Sequence, residues 1–146
     1  MDISAAINGL LDAFGSRHGL TGLSLNAEGV AALCFDDTLR LSLILMPQWD
    51  QLVLQLDIAP LHQVGEGIFR QLATFNRHWY QFDLHFGFDE ELNMIQMYRR
   101  LTASSLTLET FEARVASLLD HAEFWRSLLE EEESNPLDAP AMAVRV

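Results

Sequence analysis

Histidine is the residue type in this chain best suited to metal binding and proton transfer. The five histidines are His18, His62, His78, His85 and His121. No two lie within four residues of each other, so no helix can present a histidine pair to one zinc ion. His78 and His85 could approach only across the turn between a helix and a strand. We therefore predict no metal site.

The other reactive residue types are also poorly placed for catalysis. The acidic clusters Asp36-Asp37 and Asp89-Glu90-Glu91 fall in predicted turns, where acidic residues are common. Gly65-Glu66-Gly67 lacks the third glycine of a dinucleotide-binding loop, and no Gly-x-Ser-x-Gly motif is present. Cys34 lies in an apolar run, which predicts a buried small hydrophobic side chain. We therefore predict that the protein is not an enzyme.

The composition combines high hydrophobicity with high negative charge. Hydrophobic residues make up 49% of the 146 residues, yet the net charge is -12. One domain of this size with so many apolar residues is expected to offer a dimer interface or a partner groove. All nine basic residues are arginines without a basic stripe, which argues against nucleic acid or an anionic membrane as partner. A single cysteine and the lack of a basic, apolar leader favour the cytoplasm.

Hydrophobic periodicity predicts an α+β fold with the order α-β-β-β-α-β-β-α. We expect one twisted antiparallel sheet packed against helices, with residues 1–133 forming a single domain and 134–146 a flexible tail. The predicted helices cover 3–15, 64–79 and the segment after Thr107, and the predicted strands cover 30–35, 39–46, 52–58, 81–88 and 92–101.

The final helix carries the clearest core pattern. Its apolar residues recur at alternating spacings of four and three, which places them on one face. These residues are Phe111, Val115, Leu118, Ala122, Trp125 and Leu129. Trp125 is therefore expected in the core, and Trp79 at the end of the second helix. Trp49 lies in a predicted turn and is the best candidate for an exposed functional aromatic residue.

Three stretches of the chain resemble one protein family. The first is the N-terminal helix followed by three strands, and the second is Ile68–Asn76, which fits a loose "LL..N" pattern with Asn76 as its asparagine. The third is the predicted strand 92–101 followed by the last helix, where Ala122, Trp125, Arg126 and Leu129 fit the pattern "A..WR..L". Together they resemble the class I type III secretion chaperones of the CesT/Tir-chaperone family over about residues 3–130. The aromatic-rich segment 79–88 and the tail depart from that family pattern.

The resemblance implies a homodimeric bacterial cytoplasmic chaperone without a cofactor and without catalytic activity. Such a chaperone binds the N-terminal region of a secreted effector, keeps it soluble and aids its delivery to the secretion apparatus. Its role would therefore be in bacterial virulence. Its further partners would include the secretion ATPase. We predict effector contacts on the outer face of the three-strand meander and on an exposed side of the first helix, namely Leu33, Phe35, Arg40, Ile44, Met46, Val53, Leu11 and Phe14. We predict a dimer interface at Ile68, Phe69, Leu72, Phe75 and Trp79.

Three alternatives remain open. A regulatory or adaptor protein of the same fold would bind a partner that is not an effector. A small-molecule binder or enzyme would need a pocket with convergent polar groups, and the sequence indicates none. A structural subunit of the secretion machine would form higher-order assemblies instead of a discrete dimer.

Overall fold

The computed structural model describes residues 2–36, 38–60 and 66–134, which form four α-helices and one five-stranded sheet. The helices are α1 (Ile3–His18), α2 (Glu66–Arg77), α3 (Trp79–Phe82) and α4 (Leu108–Ser134). The strands are β1 (Val30–Phe35), β2 (Leu39–Met46), β3 (Gln51–Pro60), β4 (His85–Asp89) and β5 (Met94–Thr102). The sheet order β1-β2-β3-β5-β4 makes β1 and β4 its edge strands. The predicted α+β class and element order are confirmed, with α3 as an addition.

The ends of the first and last helices have clear local causes. The Asp2 side chain accepts a hydrogen bond from the Ser4 backbone N–H at 3.0 Å and starts α1. Gly19 ends α1 in the left-handed conformation with φ 72°, one turn later than predicted. Thr107 caps α4, because its hydroxyl accepts a hydrogen bond from the Thr110 N–H at 3.1 Å.

The predicted strand over 81–88 is wrong in its first half. Residues 79–82 form the short helix α3, and β4 begins only at His85. Asp83 ends α3 with a positive φ of 51°. The Phe82 ring stacks on Phe75 with centroids 5.4 Å apart, so packing against α2 overrides the alternating pattern.

Contacts divide the chain into two compact units. Unit 1 comprises Met1–Leu56 and Arg99–Leu118, and unit 2 comprises Asp57–Tyr98 and Leu119–Val146. The boundary between the units divides β3, β5 and α4, so each of these elements has one part in unit 1 and one part in unit 2. The single domain over 1–133 and the flexible tail over 134–146 stay predictions, and residues 135–146 lie outside the described residues.

Unit 1 has an aliphatic sheet core. Strands β1, β2 and β3 are antiparallel neighbours, and the β2–β3 register places leucine opposite leucine at three successive inner positions. These pairs are Leu41–Leu56, Leu43–Leu54 and Leu45–Leu52, and all six side chains are buried. Helix α1 and the first half of α4 add an edge-to-face contact between Phe14 and Phe111, with centroids 5.2 Å apart.

Unit 2 has an aromatic core. The Trp125 ring of α4 contacts Phe75 of α2 and Phe86 of β4, with centroid distances of 5.6 and 4.8 Å. Every residue of the predicted core face of α4 is buried.

Asn76 fixes the edge strand of unit 2. Its side-chain amide donates to the Phe86 carbonyl at 3.0 Å and accepts from the Phe86 N–H at 2.8 Å. These two bonds replace those that a neighbouring strand would make along this edge of β4. The asparagine that carries the family resemblance therefore positions β4 beside α2.

Candidate partner-binding surfaces

The outer face of the meander belongs to unit 1 and is half-apolar. The register places Ile44 opposite Val53 and Met46 opposite Gln51, and all four side chains are half-buried. Arg40 shares this face and is exposed. Four of the predicted contact residues, Arg40, Ile44, Met46 and Val53, thus lie together, and their contact role stays a prediction.

The placement of Leu33 and Phe35 on this outer face was wrong. Their strand partners are Leu41 and Leu39, whose side chains are buried on the inner face. Directly opposed residues of antiparallel strands share one face, so Leu33 and Phe35 point inward as well. Cys34 takes the outer position opposite Arg40 and is exposed, which corrects its predicted burial.

Two predicted contact residues of α1 are buried instead of exposed. Leu11 is 0% exposed and Phe14 is 3% exposed, and Phe14 packs on Phe111. Ile7 joins them at helical spacing, so this stripe is the core-facing side of α1. A partner reaching α1 would meet other residues.

An apolar depression of about 380 Å³ borders the first half of α1; we call it the α1 groove. It is lined by Ile3, Ala6, Ile7, Leu10, Ala103, Ser104, Leu106 and Leu108. Leu10, Leu106 and Leu108 are half-buried, so apolar surface is open to solvent there. Sequence reasoning missed this site, although Leu106 and Leu108 stand on either side of the Thr107 cap and outside the α4 core stripe.

A smaller, polar depression of about 210 Å³ borders the other side of α1; we call it the α1 notch. Its lining includes Ser4 and Asn8 of α1, Glu28 and Gly29 before β1, and Leu45 of β2. Asn8 accepts a hydrogen bond from the Leu25 N–H at 2.8 Å, which ties this loop to the helix. The first two turns of α1 therefore have an apolar depression on one side and a polar depression on the other. The α1 notch also adjoins the start of the edge strand β1.

Asp50 holds the wall of the α1 groove in place. Its carboxylate accepts hydrogen bonds from the backbone N–H, at 2.9 Å, and the hydroxyl of Ser104. Its backbone carbonyl accepts from the Ala103 N–H at 3.0 Å. The β2–β3 turn thereby fixes the short 3-10 turn Ala103–Ser105. Trp49, next to Asp50, is 66% exposed, which agrees with the predicted exposed turn position.

A cluster of charged side chains joins the end of α1 to the start of α4. Glu112 accepts a hydrogen bond from Arg17 and pairs with Nε2 of His18 at 2.8 Å. The hydrogen bond with His18, assisted by the charge of Arg17, lowers the pKa of Glu112 from its ordinary value against a weaker opposing effect of desolvation. This cluster is exposed and supports the position of α1.

Unit 2 exposes most of the large apolar side chains that reach solvent in the described chain. They are Trp79, Tyr80, Phe82, Phe88, Leu92 and Phe124. Among the predicted dimer residues, Ile68 and Leu72 are buried, Phe69 and Phe75 are half-buried, and Trp79 is 36% exposed. Phe69 contacts Phe88 edge to face at 5.0 Å, and Trp79 stacks on His85 at 4.9 Å. The dimer interface stays a prediction, with Phe69 and Trp79 as its accessible members.

A polar chain crosses the outer sheet face of unit 2. The Tyr98 hydroxyl donates to the Gln96 side-chain oxygen, and the Gln96 amide donates to Asp57 at 2.8 Å. Burial, followed by the charges of Asp89 and Asp57, raises the pKa of Tyr98. A methyl group at Gly87 would lie 2.8 Å from the Tyr98 ring, so the ring packs closely on that glycine. These hydrogen bonds and this close contact position the side chains on the outer sheet face of unit 2.

No group of three histidine, cysteine or acidic side chains that could hold a metal ion occurs among the described residues. Asp37, His62 and Gly65 lie outside them. No helix in the described part of the chain is long and apolar enough to span a membrane.

This chain is similar to known proteins in both sequence and structure. The model of the Tir chaperone protein (CesT) family matches residues 9–126. The transcriptional anti-antiactivator ExsC of Pseudomonas aeruginosa is 53% identical over 129 residues, which covers 88% of this chain and 89% of that protein. In the crystal structure of the ExsC-ExsE complex, the matched chain is 52% identical, with a TM-score of 0.85 over 88% of this chain and 97% of that one.

Two more distant structures share the fold alone. One is from the HopA1-SchA chaperone-effector complex, with a TM-score of 0.74 and 21% identity over 87% of this chain and 98% of the other. The second is from the complex of the Yersinia pestis type III secretion chaperone SycH with a fragment of YscM2. Its TM-score is 0.63 and its identity 17%, over 80% of this chain and 97% of the other.

Proposed function

This chain belongs to the Tir chaperone protein (CesT) family, and on that premise we propose that it is a regulatory partner-binding protein of a type III secretion system. In this role it binds a protein segment, without catalysis, in the bacterial cytoplasm. The observation that carries the proposal is its 53% identity, over 88% of its length, to a transcriptional anti-antiactivator. The partner would be a protein of the ExsE kind, as in the complex of the matched structure. By its name, an anti-antiactivator counteracts an antiactivator of transcription, and this chain would have the same effect.

Unit 1 offers the features that such a segment needs. Strand β1 is a sheet edge, whose unpaired backbone groups can accept an added strand. The α1 notch adjoins the start of β1, and the α1 groove lies on the other side of the same helix turns. An extended partner could pair with β1, cross α1 with polar groups in the notch, and place an apolar side chain in the groove.

Unit 2 offers a surface for a second copy. We assign the dimer interface to Phe69 and Phe88, whose rings are in contact. Leu92 and Trp79 are further exposed apolar residues of the same unit. A stable interface buries about 800 Å² on each partner, so neighbouring polar residues must take part as well. A dimer would present two partner sites and thereby raise the avidity for one long segment.

The test is co-purification with Pseudomonas aeruginosa ExsE, followed by size-exclusion chromatography with light scattering. The wild-type chain should elute as a dimer that retains ExsE. Leu10→Glu places a charge in the α1 groove and should abolish retention without changing the dimer. Ala5→Glu, at an exposed position of the same helix, should retain ExsE like the wild type.

The same experiment can refute the proposal. Failure of the wild-type chain to retain ExsE would reject a regulatory partner of this kind. Equal retention by Leu10→Glu would reject the α1 groove as the site.

An effector chaperone is the second candidate function, supported by the family itself. It would retain the N-terminal segments of effectors encoded nearby and not ExsE. The secretion ATPase is a further partner only under this second function.

A further inference from the structure

Helix α4 carries a second apolar stripe beside its core stripe. His121, Phe124 and Leu128 follow each other at spacings of three and four residues, so they share one helix face. Each precedes a core residue by one position, which sets this face about 100° from the core side. Phe124 is 64% exposed, and His121 and Leu128 are half-buried.

Helix α3 extends this apolar surface. The Phe82 ring lies 6.3 Å from the His121 ring and is 46% exposed. Phe75 and Trp125 support the surface from below, because Phe75 stacks on Phe82 and Trp125 contacts Phe124 edge to face. We call the surface formed by Phe82, His121, Phe124 and Leu128 the α4 stripe. The exposed rings of Phe82 and Phe124 therefore each contact a more deeply buried aromatic ring.

The surroundings of the α4 stripe are acidic. Asp120 and Glu123 are exposed and stand one position before His121 and Phe124, on the side away from the core. Residues 119–134 contain six acidic residues and one basic residue, Arg126, which donates to the Ile58 carbonyl at 3.4 Å. The negative end of the α4 dipole lies in the same half of the helix.

We propose that the α4 stripe is a docking site for a basic amphipathic helix of a partner protein. The apolar side of that helix would cover Phe124 and Phe82, and its lysines or arginines would pair with Asp120 and Glu123. A second copy of this chain is a poor occupant for a symmetric contact, because the same acidic rim would face itself. The α4 stripe shares no residue with the α1 groove, so this site is additional to the one proposed above.

The probe is a fluorescein-labelled helical peptide with leucines at the a and d heptad positions and lysines elsewhere. Fluorescence anisotropy should show binding to the full wild-type chain, weakening as salt increases. Phe124→Ser should raise the Kd about tenfold or more, as expected for loss of a central aromatic contact. Tyr80→Ser is the matched control, since Tyr80 is also 64% exposed, and it should leave the Kd unchanged.

A second variant separates charge from folding. Glu123→Lys keeps all apolar residues and should weaken peptide binding while circular dichroism and the dimer mass stay unchanged. A peptide with serines in place of the leucines should bind far less well. Equal binding of the two peptides, equal Kd values for wild type and Phe124→Ser, or dissociation of the dimer by Phe124→Ser would each overturn the proposal. None of these outcomes depends on ExsE retention, which tests the α1 groove separately.

Discussion

Unit 1 and unit 2 use different side chains for their cores and leave different surfaces. Unit 1 pairs leucines across β2 and β3, and its large exposed apolar residues among those described are Leu20 and Trp49. Unit 2 packs aromatic rings of α2, β4 and α4, and six of its large apolar side chains remain exposed. Interdigitated aliphatic side chains cover a sheet face completely, whereas a cluster of aromatic rings leaves ring edges exposed to partners.

Charge follows the same division. Unit 1 has eight acidic and five basic residues in its sequence, whereas unit 2 has thirteen and four. The unit with the larger exposed apolar surface therefore carries more of the negative charge. That charge opposes nonspecific association of the exposed rings.

The largest expected change in stability comes from comparing a buried phenylalanine of unit 1 with an exposed phenylalanine of unit 2. Phe111→Ala in unit 1 should lower the free energy of unfolding by about 3–5 kcal/mol, because the ring is completely buried. Phe124→Ala, on the same helix but 64% exposed, should change it by less than about 0.5 kcal/mol. Urea unfolding of both variants measures the difference, and equal losses would break the comparison.

Each unit has an asparagine side chain that is hydrogen-bonded to the backbone, through two bonds for Asn76 and one for Asn8. Asn76→Ala removes two hydrogen bonds to β4 and should cost about 2 kcal/mol. Asn8→Ala in unit 1 removes one and should cost about half as much. Thermal unfolding followed by circular dichroism compares them; a smaller loss for Asn76→Ala would deny the role of Asn76 at the strand edge.

Close packing on the outer sheet face of unit 2 predicts a smaller effect. Gly87→Ala should destabilise by roughly 1 kcal/mol, because the new methyl group pushes the Tyr98 ring away. In a Tyr98→Ala background the same change should cost nothing or stabilise. A double-mutant cycle by urea unfolding checks this, and additive effects would contradict it.

The smallest effect concerns the charged cluster of unit 1. The lowered pKa of Glu112 means that its stabilising contribution is complete above the ordinary value of 4.5 and disappears as the pH falls through the lowered pKa. Glu112→Gln should therefore reduce the acid dependence of stability below that pH, and Glu109→Gln in the same helix turn should not. Urea unfolding at several pH values decides; parallel curves for wild type and Glu112→Gln would refute the role of this cluster.

Local patterns in the sequence were sufficient for the fold class, the core stripe of α4 and the family. Helical spacing from Phe111 to Leu129 and alternation in β2 and β3 arise from backbone geometry, which neighbouring residues alone determine. The Asn76 position was also visible, although its partner Phe86 was not.

Tertiary structure alone decided which apolar side chains are covered. Alternation sorts a strand into two faces but does not say which face of β1 matches the inner face of β2, and pairing register placed Leu33 and Phe35 inside. Burial of Leu11 and Phe14, exposure of Cys34 and formation of the α1 groove depend on residues far apart in sequence. Local periodicity cannot specify such contacts, because it describes one element and burial requires two.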